Sequence, residues 1–183
     1  MQVSSLAIPD VKLITPRRFS DERGYFEQTY QREQYIAAGI PAEFVQDNHS
    51  KSTRGVLRGL HYQRQQPQAK LVSVLSGSVF DVVVDVRRSS DYFGQWVGAE
   101  LSAANGHQLY VPRGFAHGFL VLSAEVNFYY KCDAYYSPGD EHNICWDDPD
   151  LGIDWPLEGE PSLSAKDLSG LRLSEMPNDS LLP

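Results

Sequence analysis

Val79-Phe80-Asp81-Val82-Val83-Val84-Asp85-Val86 puts Phe80, Val82, Val84 and Val86 on one side of an extended chain and Val79, Asp81, Val83 and Asp85 on the other. The period of two marks a strand with one wholly apolar face. Outward from it, further short strands are predicted at residues 71–75, 95–101, 108–111, 118–122 and 126–132. Turn signals separate them at Ser76-Gly77, Asn105-Gly106, Pro112-Arg113-Gly114 and Ser137-Pro138-Gly139. Only two stretches read as helical. One covers residues 32–38 and is stopped by Gly39 and Pro41; the other is a short turn after Ser164, where Ser164 and Asp167 have capping-box spacing. Many short strands with few helices predict an all-β sandwich or closed barrel. No repeat or low-complexity segment breaks the chain, so one domain is expected over residues 1–183, with a loosely ordered tail after Leu171.

The composition, 42% hydrophobic over 183 residues, suffices for one core. No apolar run is long enough for a membrane span, and the first residues lack the basic flank and apolar stretch of a signal peptide, so a soluble cytoplasmic protein is expected. Cys132 and Cys145 form no CxxC motif and are expected to stay thiols in a reducing compartment. The net charge of −8 argues against nonspecific nucleic-acid or anionic-membrane binding, which need a broad positive field. Yet no acidic residue lies between Asp47 and Asp81, while Lys51, Arg54, Arg58, Arg64 and Lys70 do. Such a stretch is either a solvated basic surface or an anion site.

Two segments resemble the paired motifs of the cupin superfamily. The second is the clearer match: Gly106, five residues, Pro112, one residue, Gly114, two residues, His117, with Val121 where the motif ends in Asn. In the first, Gly55, His61 and Gly77 keep the frame, but Gln63 and Lys70 stand where metal cupins have a second His and a Glu. A divalent cation wants converging imidazoles and carboxylates, not an ammonium, so no metal and no other cofactor is expected. The resemblance implies an all-β cupin-type jelly-roll barrel with a few short peripheral helices.

Within that superfamily, Arg58-Gly59-Leu60-His61-Tyr62-Gln63 is similar to the signature of the dTDP-4-dehydrorhamnose 3,5-epimerase family. So, in the same order, are the segments at residues 21–26, 44–50, 93–96, 112–119 and 153–156. The resemblance implies inversion at C3 and C5 of a 4-keto-6-deoxyhexose carried on dTDP, on the route to dTDP-L-rhamnose. Such chemistry needs a base at the C–H, a donor at the C4 oxygen as the enolate forms, and an acid across the ring. The family match assigns His61 as base, Asp167 as the carboxylate that orients it, and Tyr130 as acid. Lys70, in the cupin frame, is placed to stabilise the enolate, and the Tyr130 phenol can deliver its proton if a nearby cation lowers its pKa somewhat. Arg23 and Arg58 match diphosphate ligands. Gln46, Asp47 and Asn48 match further polar contacts, Tyr136 an aromatic that stacks on thymine, and His117, Glu141 and Lys166 additional substrate contacts. Gln28 replaces the family's usual Glu and puts one nucleotide contact in question. The family also implies a homodimer with exchanged N-terminal strands, through which Arg23 serves the neighbouring site.

Each residue also has a plainer reading. His61 or His117 could be a satisfied structural histidine, His117 hydrogen-bonding across the barrel mouth. Asp167 could be only the end of a capping box, and Tyr129, Tyr130, Tyr135 and Tyr136 could fill a barrel interior as an aromatic cluster. Beyond double epimerisation, the residues leave open a C3-only or C5-only epimerase, a ketoisomerase, a noncatalytic nucleotide-sugar-binding cupin, or a metal-dependent cupin enzyme.

Overall fold

The computed structural model describes residues 1–40 and 43–183. Thirteen strands and two short helices follow one another: β1 (Gln2–Ser5), β2 (Lys12–Thr15), β3 (Arg18–Asp21), β4 (Gly24–Glu27), α1 (Arg32–Ala37), β5 (Gln46–Thr53), β6 (Leu57–Gln63), β7 (Lys70–Ser76), β8 (Ser78–Asp85), β9 (Trp96–Ser102), β10 (Gln108–Val111), β11 (Phe115–Val121), β12 (Glu125–Cys132), β13 (Glu141–Asn143) and α2 (Ala165–Leu168). Two antiparallel sheets face one another, in the orders β1-β2-β10-β7-β12-β5 and β13-β6-β11-β8-β9, while β3 and β4 form a separate hairpin. This is the expected all-β jelly-roll barrel. The predicted strands of its second half are all present, and the helix expected from Arg32 ends at Ala37; its proposed stop at Pro41 lies outside the described residues.

Alternation decides what each sheet buries. The odd residues of β8, Val79 and Val83, join Val72, Val74, Leu101, Val126 and Phe128 between the sheets. Its wholly apolar face, Val82 and Val84, looks outward from the barrel and is covered by Leu151, Trp155, Met176, Leu181 and Leu182. The C-terminal tail thus packs against this face. Its polar sequence around Pro177-Asn178-Asp179 hides three anchors, Met176, Leu181 and Leu182, all buried, and Leu182 O accepts a hydrogen bond from Arg88 N. The outer face of the six-stranded sheet is covered in the same way by Tyr35 of α1 and Ile40 just beyond it, against Ile14 and Leu71.

One irregularity shapes the interior. Arg58 and His61 are three residues apart, so an unbroken β6 would send them to opposite faces. Opposite them, however, β11 advances by only two, pairing His117 with His61 and Phe119 with Arg58. This bulge turns both side chains inward. It needs glycine: Gly59 has φ +129°, and a Cβ on it would lie 2.4 Å from Gly118 Cα.

Candidate active site

Between the sheets a cavity of about 370 Å³ opens, lined by Arg58, His61, Lys70, His117, Tyr130 and Asp167 among others. His61, from β6, points Nε2 at Asp167 Oδ1 across 2.8 Å. The approach is close but off the ring's N–H axis, a near contact rather than an aligned hydrogen bond. Asp167 is 3% exposed on its side chain. Its Oδ1 accepts from the Gly59 amide at 3.1 Å and its Oδ2 from Ser164 Oγ at 2.6 Å. Burial alone would raise its pKa, but the close His61 ring together with the bonds from Ser164 and Gly59 outweighs that and holds it well below the usual carboxylate range. The capping box is formed as well, so Asp167 both caps α2 and faces His61.

Glu141, on β13, reaches the other side of the same ring: its Oε1 is 4.0 Å from His61 Nδ1. Its Oε2 accepts from Lys166 Nζ and from Tyr136 Oη, each at 2.9 Å. Burial opposes ionisation of Glu141, yet these two donors and His61 keep its pKa low. Tyr136 stands at the rim with its ring half exposed, and its amide donates to Gln46 Oε1 at 2.9 Å.

Lys70 enters from the first position of β7. Burial lowers its pKa, opposed by the fields of Cys132, Glu141 and Asp81. Its Nζ is 6.0 Å from the centre of the Tyr130 ring. The condition of a lowered pKa is not met at Tyr130, on β12: burial pushes it up to about 12, against the opposing field of Arg58. It stays a phenol, a proton carrier rather than an anion, throughout the neutral range. Tyr129 points to the outside, where its hydroxyl donates to Asp47 Oδ2 at 2.8 Å. Tyr135 is 68% exposed, so the four tyrosines do not form an interior cluster; Phe119 and Phe128, stacked 4.0 Å apart, occupy that role.

Gln46, Asn48, Arg58, His117, Tyr136, Glu141 and Lys166 thus join the four central residues around one cavity. Three expected contacts do not. Asp47 alternates to the outer face of β5, where it pairs with Lys131 at 3.0 Å. Arg23 lies on the β3–β4 hairpin with its side chain 85% exposed, paired only with Asp21, and Gln28 is exposed just beyond the hairpin. The sequence reading missed Asp81, whose two carboxylate oxygens lie 2.9 and 3.0 Å from His117 Nε2. A carboxylate among the valines of β8, on the face away from its apolar side, was the available signal. It also missed Ser50, two residues after Asn48 and so on the same face.

The donor set suits no divalent cation. Gln63 spends its amide on Gln66 O at 2.7 Å and Tyr135 O at 3.3 Å and its oxygen on Ser137 N, anchoring the loop that carries Tyr136. Lys70 fills the remaining ligand position with an ammonium, and among the described residues no group of three His, Cys, Asp or Glu side chains is placed to hold a metal ion. No helix is long and apolar enough to cross a membrane among those residues.

Comparison with known proteins accounts for this arrangement. The sequence profile of dTDP-4-dehydrorhamnose 3,5-epimerase matches residues 5–175. The chain belongs to that family. A dTDP-4-dehydrorhamnose 3,5-epimerase of Pseudomonas aeruginosa is 56% identical over 171 residues, covering 93% of this chain and 94% of its own. A solved dTDP-6-deoxy-D-glucose-3,5-epimerase of Legionella pneumophila, in complex with dTDP-4-keto-L-rhamnose, is 50% identical, superposes with a TM-score of 0.97, and covers 99% of this chain and 97% of its own. A 3'-monoepimerase of Streptomyces bikiniensis in complex with dTDP-quinovose is 34% identical with a TM-score of 0.87, covering 93% and 87%. Within the epimerase family, then, this chain keeps the barrel and builds on it the His61, Asp167, Lys70 and Tyr130 constellation described above.

Proposed function

We propose that the chain is a dTDP-4-dehydrorhamnose 3,5-epimerase, converting dTDP-4-keto-6-deoxyglucose to dTDP-4-keto-L-rhamnose. The observation that carries the reading is the meeting of His61, braced by Asp167, with Lys70 and Tyr130 in one cavity. His61 takes the proton from the carbon next to the ketone, and the electron pair moves onto the C4 oxygen as the enolate forms. The Lys70 ammonium faces that oxygen, where charge grows in the transition state. Tyr130 returns a proton to the opposite face of the carbon; the imidazolium, stabilised by Asp167, then releases its proton to solvent and the Tyr130 phenolate takes one up, restoring both groups. Repetition at the second carbon completes the double inversion.

Arg58 and Lys166, both at the mouth of the cavity, suit the diphosphate, and Tyr136 offers its half-exposed ring to thymine. The hairpin supports a homodimer: Phe19, Tyr25 and Phe26 are exposed on it, and Arg23 reaches no part of its own cavity. In the dimer Arg23 serves the partner's diphosphate. A cytoplasmic site of action fits two cysteines that are both free thiols.

The 3'-monoepimerase with the same fold makes inversion at one carbon a second reading. Incubation with dTDP-4-keto-6-deoxyglucose in D2O, followed by NMR, separates the two. Deuterium at both C3 and C5 is expected; label at C3 alone would assign the monoepimerase activity.

A further inference from the structure

Asn143 lies on β13 directly across from His61 on β6. Its amide nitrogen donates to the carbonyl oxygen of Lys166 at 2.7 Å and, more weakly, to that of Asp167 at 3.4 Å. Its main-chain oxygen accepts from Leu171 N at 3.2 Å. Helix α2 has only four residues, too few to hold a position by itself. The segment carrying Asp167 is therefore seated on β13 by Asn143 together with the Lys166–Glu141 ion pair and the bridge between Leu171 and Ile144. Gly170 lets the two chains close: a Cβ there would lie 2.8 Å from Cys145 N and Ile144 C.

The other end of the same amide is spent on nothing, since Oδ1 is buried without a donor. A buried acceptor left unmatched is costly, so it is the donor end that holds the side chain here. The 2.8 Å contact between His61 and Asp167 is poorly aligned, and its quality depends on where α2 is seated.

We infer that Asn143 is a positioning residue for the catalytic pair, setting the place of the Asp167 carboxylate against His61 by gripping the carbonyls of α2. The inference rests on the reading of His61 and Asp167 as base and orienting carboxylate.

The test is steady-state kinetics on Asn143→Ala, Asn143→Ser and Asp167→Asn, alone and combined, each checked for folding by circular dichroism. Asn143→Ala is expected to lower kcat about ten- to a hundredfold with KM within about twofold, as for a small misplacement of catalytic groups. Asn143→Ser, whose hydroxyl can still donate, recovers part of the loss and stands in should the alanine variant fail to fold. Adding Asn143→Ala to Asp167→Asn should cost nothing further, because both act through one contact. Unchanged kcat in the folded Asn143 variants, or losses that multiply in the double variant, would overturn the inference. Full turnover by Asp167→Asn alone would instead overturn the reading of the pair, a separate outcome.

Discussion

His117 Nε2 sits between the two carboxylate oxygens of Asp81, 2.9 and 3.0 Å away, with both side chains buried in the cavity wall. The pair stands beside the His61–Asp167 pair, since His117 and His61 are cross-strand partners on β11 and β6. Burial raises the pKa of Asp81, while His117 and Lys70 pull it down. Asp81 fixes which ring nitrogen of His117 carries a proton. Replacing Asp81 by Ala leaves a buried N–H without an acceptor, at a cost of about 1–3 kcal/mol. Asp81→Asn keeps an acceptor oxygen and is expected to lose less. Urea unfolding of the two variants checks this, and an alanine variant as stable as the parent would show that His117 does not depend on Asp81.

Lys70 gives the site a pH dependence whose sign follows from its burial. Its pKa lies below that of a solvated lysine, so the ammonium needed at the C4 oxygen disappears earlier as pH rises. The alkaline limb of kcat/KM should therefore fall below the ordinary lysine range of about 10.4. The Tyr130 phenol, pushed up to about 12, is not the group that sets that limb. Lys70→Arg, whose guanidinium stays charged at any accessible pH, should lower the rate and remove the limb. A pH–rate profile with the same limb in Lys70→Arg would assign it to another group.

Gly59 links fold and chemistry at one atom. Its φ of +129° and the 2.4 Å clearance from a Cβ to Gly118 Cα make the bulge that turns Arg58 and His61 the same way, and its N–H donates to Asp167. Gly59→Ala forces backbone against backbone, with an expected loss of about 2–3 kcal/mol, the upper part of the range for overpacking. For a domain of this size that is roughly a 5–10 °C fall in Tm. Turnover should fall as well, because straightening β6 withdraws one of the two side chains from the cavity. A variant with the parent's Tm and kcat would show that the bulge tolerates a side chain.

The same bulge explains part of what could be read from the chain. The strands from Lys70 to Cys132 were legible because they are rich in apolar and β-branched residues and glycine-bearing turns punctuate them. The N-terminal strands were not, since Gln46 to Thr53 holds no large apolar residue and its burial alternates among polar side chains. Strand β6 hides its period behind the bulge, and β13, three residues long, has too little pattern to show. The candidate catalytic residues emerged through a family resemblance rather than through periodicity. That resemblance placed Asp47 with its neighbours although strand alternation sends it outside, and it passed over Asp81 and Asn143, whose roles depend on cross-strand partners far apart in sequence.

Arg23 supplies the sharpest test of the assembly. Its side chain is 85% exposed, held only by Asp21, and lies on a hairpin that joins neither sheet. If it serves the partner's cavity, its loss and the loss of His61 damage different sites of one dimer. In a mixed dimer of Arg23→Ala and His61→Ala, the barrel that keeps His61 receives Arg23 from its partner, so one intact site returns and the other carries both defects. If Arg23 served its own cavity, every site in the mixture would carry one defect and nothing would be restored. Random reassortment of equal amounts puts half of the dimers in the mixed form, each with one good site of two. Activity should then recover to about a quarter of the parent's, against the 10²–10⁴-fold loss expected for the His61 variant alone. Denaturing and refolding the two variants together, with each refolded separately as control, measures it. Recovery no greater than the average of the separate variants would return Arg23 to its own chain, and sedimentation of the parent as a monomer would remove the shared site altogether.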